Sequence, residues 1–248
     1  MKRYTLLART NKPFIFCALF LMFNSHAYTI SSATNPFPIV KGRLEPSKHE
    51  RVLITELRDI NSSQEQFRIA ANKLTERLVD KVYEELNTVV VEIDSPVAHC
   101  QGEVLDDSIE FVSVMRSGDA LLHGFSKYFP LASINKVLVQ RNEETAEPIF
   151  KYKKLSSTIC QAKTVIITEP MIATGGSLTM VIDLLKKQGI EEKNIIVASI
   201  CAAPEGLLRL SKQYPELRVV VIMIDDHLNE KFYISPGIGD FGDRYFGT

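Results

Sequence analysis

Cysteine is scarce in this chain, and its spacing excludes more than its number. Cys17, Cys100, Cys160 and Cys201 form no CxxC pair, and no histidine stands at zinc-ligand spacing from them. A zinc module is therefore not encoded, and nothing points to a disulfide framework. Cys201 lies inside the apolar run IIVASICAA and reads as a small core residue. An excess of positive charge is missing as well. There are 29 basic and 30 acidic side chains, a formal net charge of −1, which argues against nucleic acid as a partner. Any anion must be held by local groups rather than by a global field. Long hydrophobic runs are also absent. The apolar run PFIFCALFLMF has 11 residues, short of the roughly 20 that a membrane helix needs.

That run belongs to an unusual N-terminus. Residues 1–12 carry Lys2, Arg3, Arg9 and Lys12 with no acid, the apolar run follows, and Ser25-His26-Ala27 then offers a small-x-small cleavage pattern. This is the layout of a secretory signal peptide, with no membrane span expected in the mature protein. Its removal would leave 25 basic against 30 acidic groups, a net charge of −5. Residues 1–27 are read as a signal peptide or as a spurious N-terminal extension, with Met22 or a later position as the true start. Residues 28–48, with Pro36, Pro38 and Pro46, read as an extended arm, and residues 49–248 as one domain of ordinary size.

Within that domain, Ser63 to Gln66 is a capping-box pattern, and Phe67, Ala70, Ala71, Leu74, Leu78, Val82 and Leu86 predict a helix over 64–86. A strand is expected over 88–93, then a polar loop. From residue 109 strands and helices alternate. IEFVSVM, INKVLVQ, residues 164–168, NIIVASI and RVVVIMI read as strands. Helices are expected at 119–128, at 178–188 closed by Gly189, and from Pro204. Such alternation argues for a parallel α/β sheet, in which ligands sit at the carboxyl ends of strands. Arg116, Arg141, Glu169 and Asp225 all fall at such ends.

The segment TVIITEPMIATGGSLTMVIDLL, Thr164 to Leu185, carries most of the chemistry. A buried strand ends at the carboxylate of Glu169, a polar loop follows, and Thr174, Gly175, Gly176 and Ser177 open a helix. Glycines let backbone N–H groups approach an anion, and the helix N-terminus favours negative charge. A strand, a Gly-Gly turn and a helix also occur in α/β proteins with no ligand there. The C-terminal string YISPGIGDFGDRYFGT is too Gly-rich for a helix or central strand and too aromatic for a disordered tail, so Tyr233, Phe241, Tyr245 and Phe246 should pack back onto the domain.

These strings resemble the type I phosphoribosyltransferases, most closely uracil phosphoribosyltransferase. The Thr164–Leu185 segment resembles the family's phosphoribosyl-diphosphate loop, and the Tyr233–Thr248 segment its uracil-binding signature, in the form with Phe241 that resembles the eukaryotic branch. Met115 to Gly118, Gln140 to Thr145, Ala202 to Gly206, Asp225 with Leu228 to Glu230, and Leu57 to Asp59 with Phe67-Arg68 match further blocks. The resemblance runs in order from about Phe37 to Thr248. It implies a central, mostly parallel sheet flanked by helices, with a small base-binding flap or hood, the region 87–107 supplying a hairpin or flap near the base.

The implied reaction is uracil plus phosphoribosyl diphosphate giving UMP and diphosphate. Arg116 and Arg141 would grip the diphosphate, since a guanidinium fork matches phosphate oxygens. Asp240 would face the ribosyl substrate or its Mg²⁺, a cofactor held mainly through the substrate's own oxygens. Glu169 would hold the ribose hydroxyls and stands where the uracil branch carries Asp. The loop that continues through Pro170, Met171, Ile172, Ala173, Thr174, Gly175 and Gly176 to Ser177 would seat the 5′-phosphate. Backbone groups of Ile234, Gly239, Asp240 and Phe241 would read uracil. Asp243 and Arg244 are expected to be structural, and His123 and His227 are given no catalytic role. The resemblance further implies a homodimer or homotetramer, GTP as an effector in some members, and cytoplasmic function, with export the alternative that the leader raises. A nucleotide-binding regulator on the same fold, or a transferase for another base, is the competing reading.

Overall fold

The computed structural model describes residues 35–42, 44–141 and 148–248. The leader, the first part of the arm and the turn from Asn142 to Thr145 lie outside the described residues. Two helices come first, α1 (Lys48–Arg58) and α2 (Gln64–Tyr83). Each starts with a complete capping box, Ser47 with Glu50 and Ser63 with Gln66. These boxes satisfy backbone N–H groups that a helix start leaves orphaned. Helix α2 stops three residues short of the expected 86. Next, β1 (Thr88–Asp94) and β2 (His99–Leu105) form an antiparallel ribbon of their own, so the expected polar loop is partly a strand.

The body of the sheet follows. It comprises β3 (Ile109–Met115), α3 (Gly118–Tyr128), β4 (Ser133–Arg141), β5 (Pro148–Lys154), β6 (Thr164–Thr168), β7 (Met171–Ile172), α4 (Gly176–Lys187), β8 (Ile195–Ala202), α5 (Pro204–Gln213) and β9 (Arg218–Ile224). The order across the sheet is β5-β4-β3-β6-β8-β9, all parallel except β5. Strand β7 extends β6 along the same edge of β8, after an interruption at Glu169 and Pro170. The order confirms the parallel α/β architecture expected from the alternation.

The apolar runs have a physical reason. Successive side chains of a strand point to opposite faces, and here both faces are covered. Phe111, Ile166, Ile196, Ala198 and Val220 enter the core beneath α1, α2 and α3. Val112, Val165, Ile167, Val197 and Val219 enter the one beneath α4 and α5. A strand buried on both sides needs no polar face, so it reads as a continuous apolar run. The described part of the arm closes the β9 edge. Lys41 N–H donates to the Val219 carbonyl and Val219 N–H to that of Ile39, both at 2.8 Å, and Phe37, Ile39 and Val40 are buried. The arm is thus a docked segment that removes an exposed sheet edge.

After β9 the chain makes a small hairpin, β10 (His227–Leu228) with β11 (Ile234–Ser235), and ends in α6 (Phe241–Phe246). Helix α6 corrects the expectation that this segment is too Gly-rich for a helix. Asp240 caps its start, accepting from the Asp243 N–H at 2.9 Å, and Gly247, at φ 80°, ends it, so the flanking glycines lie outside it. Phe241 packs edge-on against Phe67 of α2, with Tyr245 stacked on Phe241. The expected docking of the tail holds for Phe241, Tyr245 and Phe246, whereas Tyr233 stays 54% exposed.

One buried carboxylate ties this C-terminal segment to the body. Asp225, at the end of β9, pairs with Arg58 of α1 at 2.5 Å, and its side chain is 2% exposed. The same carboxylate accepts from the Gly237 N–H at 2.8 Å, while Arg58 donates to the Gly237 carbonyl at 2.9 Å. Burial alone would lower the Arg58 pKa, but its hydrogen bonds and charge contact with Asp225 outweigh that and raise it. Removing one partner of such a pair leaves buried polar groups without compensation. Asp225→Ala should lower unfolding stability by about 3 kcal/mol, read as a reduced urea midpoint. A midpoint within error of the wild type would contradict this.

Candidate active site

A cavity of about 560 Å³ opens at the carboxyl ends of β3, β4 and β6. Between β3 and β6 the chain reverses its direction across the sheet, running outward to β4 on one side and to β8 and β9 on the other. Such a switch point splays the loops at the strand ends and leaves room for a ligand. Four groups of residues form the wall: the turn after β3, the end of β4 at Leu138 to Gln140, the loop from Glu169 into α4, and residues of the C-terminal segment between Phe232 and Gly242.

The loop into α4 has the geometry of an anion seat. Gly175 takes φ 75° as N-cap, a left-handed conformation natural to glycine, and no side chain caps the helix. No N-cap side chain therefore takes up the N–H groups of the first turn of α4, and the positive end of the helix dipole lies at the cavity wall. Met171, Ile172, Ala173, Gly175, Gly176 and Ser177 all line the wall. Thr174 does not; its hydroxyl accepts from the Gly176 N–H at 3.4 Å and braces the turn. Pro170 also stays outside the wall, and its carbonyl accepts from the Ile200 and Cys201 N–H groups.

Glu169 sits where β6 breaks off. Its backbone N–H remains bonded to the Ala198 carbonyl, and its mostly buried side chain lines the cavity. Ser117 donates a long hydrogen bond of 3.5 Å to Glu169 Oε1, which joins this carboxylate to the turn that carries Arg116. The close approach of the two segments depends on Gly118, where an added Cβ would lie 2.2 Å from the Thr168 carbonyl oxygen.

Arg116 lines the cavity with a half-exposed side chain held by α6 rather than by the sheet. Its Nη2 pairs with Asp243 at 2.9 Å, and its Nη1 donates to the Thr248 hydroxyl at 3.0 Å. The Met115–Arg116 and Ser235–Pro236 peptides are cis. Arg141 is the last residue of β4, opposite Pro148, and its side chain lies outside the described residues.

The C-terminal segment roofs the other end of the cavity as a hood. Ile234, Gly239, Asp240 and Phe241 all contribute to the wall. Arg244 braces the hood from behind, donating to the carbonyls of Leu57, Ile238 and Asp59 and lying over the Phe67 ring. Asp243 and Arg244 are both structural, as expected, but through different partners. Asp225 serves the clamp described above and is not in the wall, which corrects its expected place in a shared site. The ribbon of β1 and β2 contributes no wall residue either. His123 and His227 are exposed and outside the wall. Sequence reasoning missed Phe232, and it treated Tyr233 as a packing residue although it lines the cavity.

A helix N-terminus without a side-chain cap at one end, a main-chain hood at the other and an arginine between them give the cavity the layout of a type I phosphoribosyltransferase. The chain belongs to the uracil phosphoribosyltransferase family, whose model, described as Uracil phosphoribosyltransferase, matches residues 46–248. It is 36% identical over 204 residues to a uracil phosphoribosyltransferase of Dictyostelium discoideum, covering 82% of this chain and 94% of that one. To one of Malacoplasma penetrans it is 34% identical, covering 79% and 93%. A solved structure of an Aquifex aeolicus protein superposes with a TM-score of 0.72 at 29% identity, covering 83% of this chain and 98% of that one.

The Arg116 contacts yield a test. The Arg116–Asp243 pair has side chains 56% and 52% exposed, and exposed pairs are worth about 0–1 kcal/mol. Asp243→Asn should free Arg116 and tighten diphosphate binding by up to about fivefold at low salt, measured by calorimetric titration. Weaker binding by the variant would show that Asp243 positions Arg116 instead of competing for it.

Proposed function

We propose that the chain catalyses transfer of a phosphoribosyl group from phosphoribosyl diphosphate to uracil, giving UMP and diphosphate. The observation that carries this reading is the joining, in one cavity, of an anion seat at the α4 N-terminus to a hood built from the C-terminal signature. The bond to diphosphate loosens ahead of the new bond from uracil N1, so positive charge grows on the ribose and negative charge on the leaving group, and the N1 proton of uracil passes to the departing diphosphate or to water. Arg116 would stabilise the leaving diphosphate, and Arg141 is proposed beside it. The amides of Gly175 to Ser177 would hold the 5′-phosphate, and Glu169 would accept from the ribose hydroxyls. Backbone groups at Ile234 and Gly239 to Phe241 would pair with the uracil edge. A hood built for two carbonyls and an N–H rejects cytosine, because buried unpaired groups are costly.

Mg²⁺ fits the donor set. Among the described residues no cluster of three or more ligand side chains exists, while Glu169 and Asp240 both line the cavity. Such a site suits a hard cation that keeps waters and arrives on diphosphate oxygens. When bound, the ion would neutralise charge on the diphosphate. Because phosphoribosyl diphosphate is an intracellular metabolite, a cytoplasmic place of action is part of the proposal.

Self-association belongs to the proposal too. Val89, Val90, Ile93, Val104 and Leu105 are exposed on the ribbon of β1 and β2, and a lone two-stranded ribbon is marginal in water. A second copy that covers it would give the homodimer, from which a tetramer can be built. Val90→Asp should shift sedimentation to the monomer, and an unchanged coefficient would rule the ribbon out as the contact. GTP as an effector rests on the family resemblance alone.

The enzyme itself is tested by UMP formation from uracil, with cytosine and hypoxanthine run beside it. Turnover should be confined to uracil, with discrimination of about 10⁴. Arg116→Ala should lower kcat/KM by about 10²–10³, and Asp240→Asn should lower it too. Folded protein that binds nucleotide but turns over no base would instead support the regulator reading.

A further inference from the structure

Phe232 is the one non-glycine residue, among those described, with a positive φ, 61°. Glycine, asparagine and aspartate occupy this left-handed region readily, and a bulky aromatic there is strained. The tip of the hairpin between β10 and β11 is wired to impose the angle. Asn229 Oδ1 accepts from the N–H groups of Lys231 and Tyr233, both at 3.0 Å. Asn229 N–H donates to the Tyr233 carbonyl at 2.8 Å, and Phe232 N–H to the Asn229 carbonyl at 2.9 Å. The protein gains little core packing in return. The residue is 49% exposed and joins neither hydrophobic core. Phe232 does line the cavity, as do Ile234 and Gly239 to Phe241. Strained conformations that the surroundings over-determine cluster at ligand clamps.

We propose that Phe232 is a specificity-determining residue whose ring covers the side of the base that the main-chain hood leaves open. The proposal rests on the uracil reading of the cavity. The hood reads the carbonyl and N–H edge, which leaves a flat π-face without a partner. An aromatic ring that is half in solvent when the cavity is empty loses that exposure when a planar base packs against it. A saturated base such as dihydrouracil presents the same hydrogen-bonding edge on a puckered ring and would pack less well, so the cover selects for planarity.

Opposite effects on stability and on binding make the idea testable with two variants. Phe232→Gly relieves the backbone strain and removes the ring; Phe232→Tyr keeps both. The glycine variant should melt about 2–4 °C higher. Its KM for uracil should rise about tenfold, and its preference for uracil over dihydrouracil as competitor should fall. The KM for phosphoribosyl diphosphate, and kcat at saturating uracil, should stay at wild-type values. The tyrosine variant, which keeps an aromatic ring and the strained backbone, should hold the uracil KM closer to the wild type than the glycine variant does and should show no rise in melting temperature. A glycine variant that is more stable but keeps its uracil KM would overturn the assignment, leaving only strain. So would one in which the KM values of both substrates rise together, since the ring would then act through the whole hairpin. A wild-type protein that turns over no base removes the uracil reading and this assignment together, an outcome distinct from the other two.

Discussion

The position of the hood depends on the contact between Arg58 and Asp225. Helix α1 stands outside the sheet, β9 lies at its edge, and the loop at Gly237 has no regular structure of its own. The paired charges join all three, and both chain groups of Gly237 are bonded to them. The side chain of Asp225 is almost wholly buried, so its carboxylate must be compensated by Arg58 and the Gly237 N–H, with the Cys201 thiol donating a weak hydrogen bond at 3.5 Å. A main-chain hood can read a base edge only if the main chain is fixed to a few tenths of an ångström. Arg244, stacked on Phe67 and bonded to three carbonyls, supplies the second fixed point. The hood is thus irregular in conformation but pinned at both ends.

The opposite end of the cavity is rigid for another reason. The loop into α4 follows directly from β6 and β7, and the interruption at Glu169 and Pro170 is itself bonded into β8. Close packing excludes side chains where the segments meet, as at Gly118 against Thr168 and at Gly206 against Ala173. Between these fixed halves lies Arg116, held by exposed contacts with Asp243 and Thr248. In the proposed reaction, exchanging this exposed carboxylate for a multiply charged diphosphate would favour the ligand on both charge and fork geometry. The cavity therefore combines two preformed walls with one arginine that can change partners cheaply.

What the sequence revealed follows the same physics. Strands β3, β6, β8 and β9 were legible because burial on both faces demands apolar runs. Strand β5 and the second strand of the ribbon were not, since their residues are largely exposed and carry no such demand. Helix α1 was overlooked although Ser47 and Glu50 spell the same capping box that announced α2. Helix α6 was hidden by glycines that prove to flank it or to pack tightly inside it. The cavity residues of the diphosphate loop and the hood were visible as motifs. Asp225 was visible as a strand end and misplaced, because its partner Arg58 lies 167 positions away and no local pattern reports such a pair.

Phe232 shows where reading by motif stops. Its significance rests on a backbone angle, set by hydrogen bonds from Asn229 and unrelated to the identity of the residue that must adopt it. Glu169 is the complementary case: its identity departs from the uracil branch, yet just past the end of β6 its backbone N–H stays bonded to the Ala198 carbonyl. The extra methylene carries the carboxylate farther from the strand end without disturbing the strand, and Ser117 still reaches it. A change of residue at a fixed backbone position alters reach, while an unusual backbone angle at a given residue alters direction. The two ends of this cavity are thus set by different means: the reach of a side chain at the Glu169 end, and the conformation of a hairpin tip that belongs to neither core at the Phe232 end.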